Sequence, residues 1–389
     1  MKKRKVLLTN FNILNYSGSE IDVVTIGNYL VENNYDVDIF TLEYGLPLSK
    51  NLNEKIKVVV PNDLSKLEKN YDLIWAHHYP LLDYILFNLK IKAKHIVYIS
   101  LSSFEPLETL PYYYMDLSIV GALSDEAINT LNEQMTEKRD IILFPNYATS
   151  KFFFYKVKEI TTIKKICIVS NHVPEELMDF KKIAEKNNLI VDIYGIGNIV
   201  KYVDNKLLSK YDIVISIGKT VYYSLSMGKI VYCYDRFGGY GFITSQNIDK
   251  CFKKNFSGRD GKKLTGEKIY NDIIGNYKNV NKDLNKLKDY ANNTFNFEKN
   301  INNVLNMLSN DNKVDCNKLI KKYPFLVIKS KLYVDTFNHK NNIIKLKEAE
   351  INSLNSNASK LDEIYNSTSW KITYPIRLLK KIIYKLFKL

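Results

Sequence analysis

Short apolar runs alternate with longer two-faced stretches along most of the chain, the texture of parallel strands joined by crossover helices. In the first half, residues 5–9, 37–42, 57–60, 73–76, 95–101, 117–120 and 141–144 read as strands. Between the first two, residues 20–33 carry Val23, Ile26 and Leu30 beside Val24 and Val31, an apolar stripe at helical spacing. The pattern restarts at Lys164, with strands expected at 165–170, 190–194, 212–217 and 229–234 and helices between them. A long polar helix over about 278–308 is expected to close this second half. Phe144-Pro145-Asn146-Tyr147 marks the boundary between two Rossmann-like halves.

After Asn310 the texture changes. Ile344, Ile351, Ala358 and Tyr365 are spaced by seven, as are Lys347, Leu354 and Leu361. Three heptads with Lys347 in a core position leave a marginal coiled coil beside a solvated linker helix. Pro375 then opens a last helix with Ile376, Leu379, Ile382, Ile383 and Leu386 on one side. Arg377, Lys380, Lys381, Lys385 and Lys388 lie on the other side or its flanks.

Composition narrows the picture. The chain has 389 residues, 46% of them hydrophobic, which excludes a mostly disordered protein. Its net charge of +14 first suggests an acidic partner such as nucleic acid, an anionic membrane or a phosphorylated substrate. Residues 2–5 carry four of those charges and residues 364–389 six with no acid, leaving only +4 between them. The surplus thus belongs to the ends and favours a membrane-facing tail. No basic motif interleaved with aromatics supports nucleic acid. Cys167, Cys233, Cys251 and Cys316 lie far apart, so reduced thiols are expected and zinc-ligand spacing is absent. The basic start lacks a signal-peptide apolar core, and no run of about 18 apolar residues spans a bilayer. A cytoplasmic location is expected.

Three places carry candidate chemistry. The loop Asn15-Tyr16-Ser17-Gly18-Ser19-Glu20 precedes a helix, so its amides suit a phosphate, although Ser17 or Ser19 serves equally as a plain N-cap. Trp75-Ala76-His77-His78-Tyr79-Pro80 ends a buried strand, where doubly wound sheets bind ligands. Neighbouring residues there point opposite ways, so at most one histidine is expected to face a cleft; the alternative is a backbone-bonded loop histidine. The densest place runs from Ser216-Ile217-Gly218-Lys219-Thr220 to Asp235-Arg236-Phe237-Gly238-Gly239-Tyr240-Gly241. Gly218 and the Thr220 amide suit phosphate, Lys219 supplies a point charge and Arg236 a bidentate one. Gly238 and Gly239 either allow close backbone approach or only make turns. This is not a P-loop, because Ile213 stands where that motif's first glycine belongs.

Gly18-Ser19-Glu20, its helix and Tyr35-Asp36-Val37-Asp38-Ile39 resemble the Gly-Gly-x-Glu helix and following strand of family 4 GT-B glycosyltransferases. Phe144-Pro145-Asn146-Tyr147 is similar to their interdomain Pro-Asn-Gly segment, and Tyr194-Gly195-Ile196-Gly197-Asn198 to their donor-domain Gly-x-Gly loop. The stretch from Gly218 to Gly228 and the one after Tyr234 resemble their donor loops. Ser367-Thr368-Ser369-Trp370-Lys371-Ile372-Thr373-Tyr374-Pro375-Ile376-Arg377 resembles the tail of many bacterial surface-polysaccharide glycosyltransferases. Two features depart from the family. Its Glu-x7-Glu pattern falls on Ile215 and Tyr223, and Ser170-Asn171-His172-Val173 replaces its usual basic pair.

The resemblance implies an α/β GT-B fold with an acceptor domain at 1–155, a nucleotide-sugar domain at 156–310 and a helical tail at 311–389. It implies transfer of a sugar, with retention, from a nucleotide-diphosphate sugar to a lipid-linked or glycan acceptor in surface-polysaccharide synthesis. No metal or other cofactor is expected. Gly18, Gly195, Gly197, Gly218, Lys219, Thr220, Arg236, Gly238 and Gly239 would hold the donor. His77 or His78 would act at the acceptor. Trp370, Arg377, Lys380, Lys381, Lys385 and Lys388 would face an anionic inner membrane surface, making the enzyme peripheral. The rival reading is a non-catalytic scaffold of the same fold, motivated by Ile215 and Tyr223.

Overall fold

The computed structural model describes residues 3–387. They form two units, one reaching to Ser330 and one starting at Lys331.

The first unit contains two large, mainly parallel sheets, beside a two-stranded one of Asn12–Ile13 and Glu43–Tyr44. Strands β1 (Lys5–Thr9), β2 (Asp36–Phe40), β3 (Lys57–Val59), β4 (Asn70–Ala76), β5 (Lys92–Ser100), β6 (Ile119–Ala122) and β7 (Ile142–Leu143) make the first. Their order is β3-β2-β1-β4-β5-β6-β7, all parallel. The second sheet has the order β9-β8-β10-β11-β12, from β8 (Lys165–Val169), β9 (Ile190–Tyr194), β10 (Ile213–Ser216), β11 (Ile230–Asp235) and β12 (Gly238–Phe242). Only β12 runs antiparallel, as a hairpin on β11. Its glycine-rich sequence lacks the β-branched texture of a strand, which is why the pattern did not foretell it. The central strands are buried on both faces, which explains their unbroken apolar runs: Val6, Leu7, Leu8, Ile166, Ile168 and Ile215 are fully covered.

Both sheets reverse direction at a switch point. In the first it lies between β1 and β4, in the second between β8 and β10. The helices that leave β1 and β10, α1 (Gly18–Glu32) and α4 (Lys219–Ser226), start at these points. Helices α2 (Asp125–Gln134) and α3 (Glu175–Lys186) pack on β6 and β7 and on β9, respectively.

The expected long helix at 278–308 is instead three: α5 (Gly266–Asn281), α6 (Leu284–Thr294) and α7 (Phe297–Asn306). The break before α7 has a cause in the sequence. The Asn296 side chain accepts from Lys299 N, capping a new helix whose Phe297, Ile301 and Val304 join the core of the first half. The chain therefore crosses between the halves twice, and the crossings are bonded together. Ala148 N donates to Phe295 O at 2.8 Å and Phe297 N to Ala148 O at 3.1 Å. Helix α8 (Cys316–Lys322) then packs on the first half, with Cys316 Sγ 3.4 Å from Ala93 N. Two Rossmann-like halves with a returning last segment make the GT-B arrangement.

In the second unit, helix α9 (Leu326–Asn366) runs on with most side chains from Ile343 exposed. Ser367 caps α10 (Thr368–Ile372), accepting from Trp370 N at 3.2 Å, and α11 (Tyr374–Phe387) follows. No helix among the described residues is long and apolar enough to cross a membrane.

Candidate active site

The two switch points are tied to each other through Asp22 and Lys219. Asp22 lies one turn into α1 and Lys219 is the first residue of α4. Lys219 Nζ donates to Asp22 Oδ1 at 2.8 Å, with the side chains only 10% and 5% exposed. His77, from the end of β4, places Nε2 3.2 Å from the other oxygen, Oδ2. Tyr147, from the segment between the halves, lies under the Lys219 ammonium, 4.7 Å from ring centre to Nζ. Burial pushes the Asp22 carboxyl up, but the Lys219 charge and the His77 ring outweigh it and hold it well below the usual carboxylate range. The Tyr147 phenol is raised well above its usual value, by burial and then by the Asp22 charge.

The glycines that open these helices face empty space. A side chain at Gly18 or at Gly218 would meet nothing within 4 Å. Gly218 also has φ of +56°, a conformation that favours glycine over other residues. Ser17 caps α1 by position, but its hydroxyl donates to Glu20 Oε1 at 2.9 Å instead of serving the helix. Glu20 accepts also from the Leu14 and Asn15 amides, so it moulds the loop before the helix.

Both histidines are enclosed, His77 fully and His78 with 7% exposure. His77 Nδ1 donates to the Ile99 carbonyl at 3.2 Å, while Nε2 faces Asp22. His78 has φ of +64°, a strained backbone for its type. Its Nδ1 accepts from Phe11 N at 3.2 Å, so the proton sits on Nε2, which lies 3.2 Å from Glu108 Oε1. Glu108 is itself buried and accepts from Leu101 N at 2.8 Å. The ring thus braces three strand-end loops, after β1, β4 and β5. Neither imidazole presents a free nitrogen to an acceptor.

In the second half, Gly195 and Gly197 follow the end of β9 and Arg236 the end of β11. Gly195 packs against the Ser170 carbonyl so closely that a methyl group there would lie 1.9 Å from the oxygen. Gly197 and Arg236 are exposed, the guanidinium resting 4.7 Å from the Phe237 ring centre. Beside it, Ser170 Oγ donates to both oxygens of Asp235, at 3.0 and 3.1 Å. Burial raises the Asp235 carboxyl, against the Arg236 amide and Ser170, which lower it. Gly238 and Gly239 are used differently. Their Cα atoms pack on the backbone around Lys262 and Cys233, so they shape the β11–β12 hairpin. Thr220 is buried in the first turn of α4, and its carbonyl accepts from Ser224.

The positions of the family's two glutamates hold apolar packing. Ile215 is in the sheet core, and Tyr223 stacks on Phe152 at 4.2 Å and 13°. Asp22 and Glu108 were not singled out from the sequence, and Tyr147 only as the end of the interdomain segment 144–147. Asp22 had a signal, an acid inside the apolar stripe of α1; Glu108 had none. Among the described residues no three His, Cys, Asp or Glu side chains gather as a metal-ligand set.

In the tail, Trp370 is held between Tyr365, edge-on at 5.1 Å, and Arg377, 3.7 Å above its ring centre. Arg377 also donates to the Trp370 carbonyl. Ile376, Leu379, Ile382 and Ile383 are exposed, as are Lys380 and Lys381. Lys388 and the Lys385 side chain lie outside the described residues.

No family model matches the chain, and no curated protein is similar to it. Among solved structures it is similar to TarM, at 11% identity and TM-score 0.49, over 79% of this chain and 99% of that one. A glycosyltransferase from Rickettsia africae aligns at 15% identity and TM-score 0.42, over 75% and 98%. A UDP-GlcNAc 2-epimerase from Neisseria meningitidis, bound to UDP-GlcNAc, aligns at 13% and 0.45, over 78% and 99%.

Proposed function

We propose that the chain is a glycosyltransferase that takes its sugar from a nucleotide-diphosphate donor bound between the two switch points. One observation carries this reading. Two helix N-termini, each opened by a glycine at which a side chain would meet nothing within 4 Å, are brought together from opposite halves with one buried lysine between them. Amides at helix starts favour an anion, and a diphosphate leaving group is the charge that sugar transfer must stabilise. Arg236 stands exposed at the end of β11, suited to a phosphate or to the sugar's far side. The resemblance of the loops to family 4 motifs points the same way, and with it to retention at the anomeric carbon.

His77 and His78 act in this reading by holding the acceptor-side loops, since their ring nitrogens are engaged. The tail supports an acceptor presented at a membrane: its last helix exposes an apolar face flanked by Lys380 and Lys381. A lipid-linked acceptor at the inner face in surface-polysaccharide synthesis fits that geometry. Deleting residues 375–389 should move the protein from the membrane fraction to the soluble one; unchanged fractionation sinks the anchoring idea.

The second reading, a non-catalytic scaffold of the same fold, is favoured by Tyr223 and Ile215, where no carboxylate is present for ribose or sugar. A screen of nucleotide sugars for binding and hydrolysis separates the two. The enzyme reading expects a hit that weakens with Arg236→Ala, and the scaffold expects none.

A further inference from the structure

The charge that a donor diphosphate needs is already spent. Lys219 is the buried cation at the facing switch points, and Asp22 neutralises it. Gly18 and Asp22 are four residues apart on α1 and so share one face, so the open side-chain position at Gly18 is on the ion pair's side of the helix. Gly218, with its own free space, directly precedes Lys219. A diphosphate entering there would bring two or more negative charges next to a buried carboxylate that burial alone does not discharge.

Lys219 is not the only polar group against Asp22. Asp22 Oδ2, His77 Nε2 and the Tyr147 hydroxyl are all buried, and none makes a well-aligned hydrogen bond. Buried polar groups in a settled core are almost always paired. Here the Tyr147 phenol and the His77 ring already lie beside the one carboxylate. The phenol can donate to it when the lysine leaves.

We propose that Asp22 is the internal counter-ion that the donor's diphosphate displaces from Lys219. The exchange makes Asp22 a specificity-determining residue: a ligand must carry enough negative charge to outcompete a preorganised carboxylate, so diphosphates enter and monophosphates or neutral sugars do not. The inference rests on the donor reading above. No new bond forms or breaks; an ammonium passes from one oxyanion to another.

The test is calorimetric titration of the full chain with inorganic pyrophosphate and with UDP, GDP, CDP and dTDP. Wild type is compared with Asp22→Asn and Asp22→Ser, each alone and with Lys219→Gln. Both Asp22 replacements should tighten diphosphate binding by about tenfold or more, because the competing charge is gone. The gain should vanish with Lys219→Gln. A role for Asp22 in merely aiming Lys219, or in holding the fold, predicts weaker binding instead. A folded Asp22 variant that binds diphosphate no tighter than wild type overturns the exchange while leaving the donor reading intact. Tighter pyrophosphate binding in the variants, with no nucleotide bound by any protein, supports the exchange and overturns the donor reading. Should neither variant fold, the Asp22 carboxyl carbon in wild type is followed by NMR. It should shift on saturation with pyrophosphate, and a fixed signal under saturating binding overturns the proposal.

Discussion

The two halves of the first unit finish their strands in opposite ways. At the carboxyl ends of the first sheet, polar side chains fill the space: Glu20, Asp22, His77, His78 and Glu108 are buried and bond the loops to one another. At the ends of the second, Ser170 and Asp235 are buried and bonded, but Gly197 and Gly218 are open and Arg236 is exposed. A braced surface meets an open one. That division suits a rigid acceptor platform facing a site into which an anion must fit.

The largest effect should come from breaking the junction between them. Lys219→Ala leaves Asp22 buried without its cation and should cost about 3–5 kcal/mol in urea unfolding. Replacing both, as Asp22→Leu with Lys219→Met, should restore most of it. If the double variant is no better than the single one, the pair is not what joins the halves.

A second buried acid distinguishes the first half by pH. Asp83 accepts from the Tyr113 hydroxyl at 2.7 Å, and burial raises its carboxyl to about 7, partly offset by Tyr113 and Lys329. A folded value above the unfolded one stabilises fully at low pH and is lost as pH rises through about 7. Asp83→Asn should therefore flatten the fall in stability between about pH 4 and pH 7. An unchanged slope in denaturation curves would place that dependence elsewhere.

The brace itself is tested by Glu108→Ala, which strands the Leu101 amide and the His78 ring proton. A loss of about 1–3 kcal/mol is expected, with faster hydrogen exchange at Phe11 and Leu101. On the open side, Gly195→Ala should cost a similar amount, about 1–3 kcal/mol, because its new methyl meets the Ser170 carbonyl. The smallest effect belongs to Arg236→Ala. Its exposed side chain should change stability by less than about 0.5 kcal/mol, so any loss of ligand binding is local to the site.

Much of this fold was legible in the chain. The expected strands 5–9 and 190–194 match β1 and β9 at both ends, and every other predicted strand overlaps an observed one. Fully buried parallel strands write themselves as apolar runs, which is why they were readable. The hairpin strand β12 was missed because glycines carry no period. The helix at 278–308 was drawn too long because its apolar spacing continues across Asn296, while the faces on either side pack on different halves. Of the candidate site, the glycine turns were visible as turns, but their partners were not. Lys219 reads as a free phosphate ligand until the fold sets Asp22, 197 residues earlier, against it. Pairings at that separation leave no mark on local pattern.

The central claim is that the facing switch points form a nucleotide-diphosphate site. Its most direct test is titration of the wild-type chain with UDP, GDP, CDP and dTDP beside the Arg236→Ala variant of equal stability. The account predicts saturable one-to-one binding of at least one of them, weakened about tenfold or more by the substitution. Absence of binding by all four, or a binding curve that Arg236→Ala leaves unchanged, contradicts it.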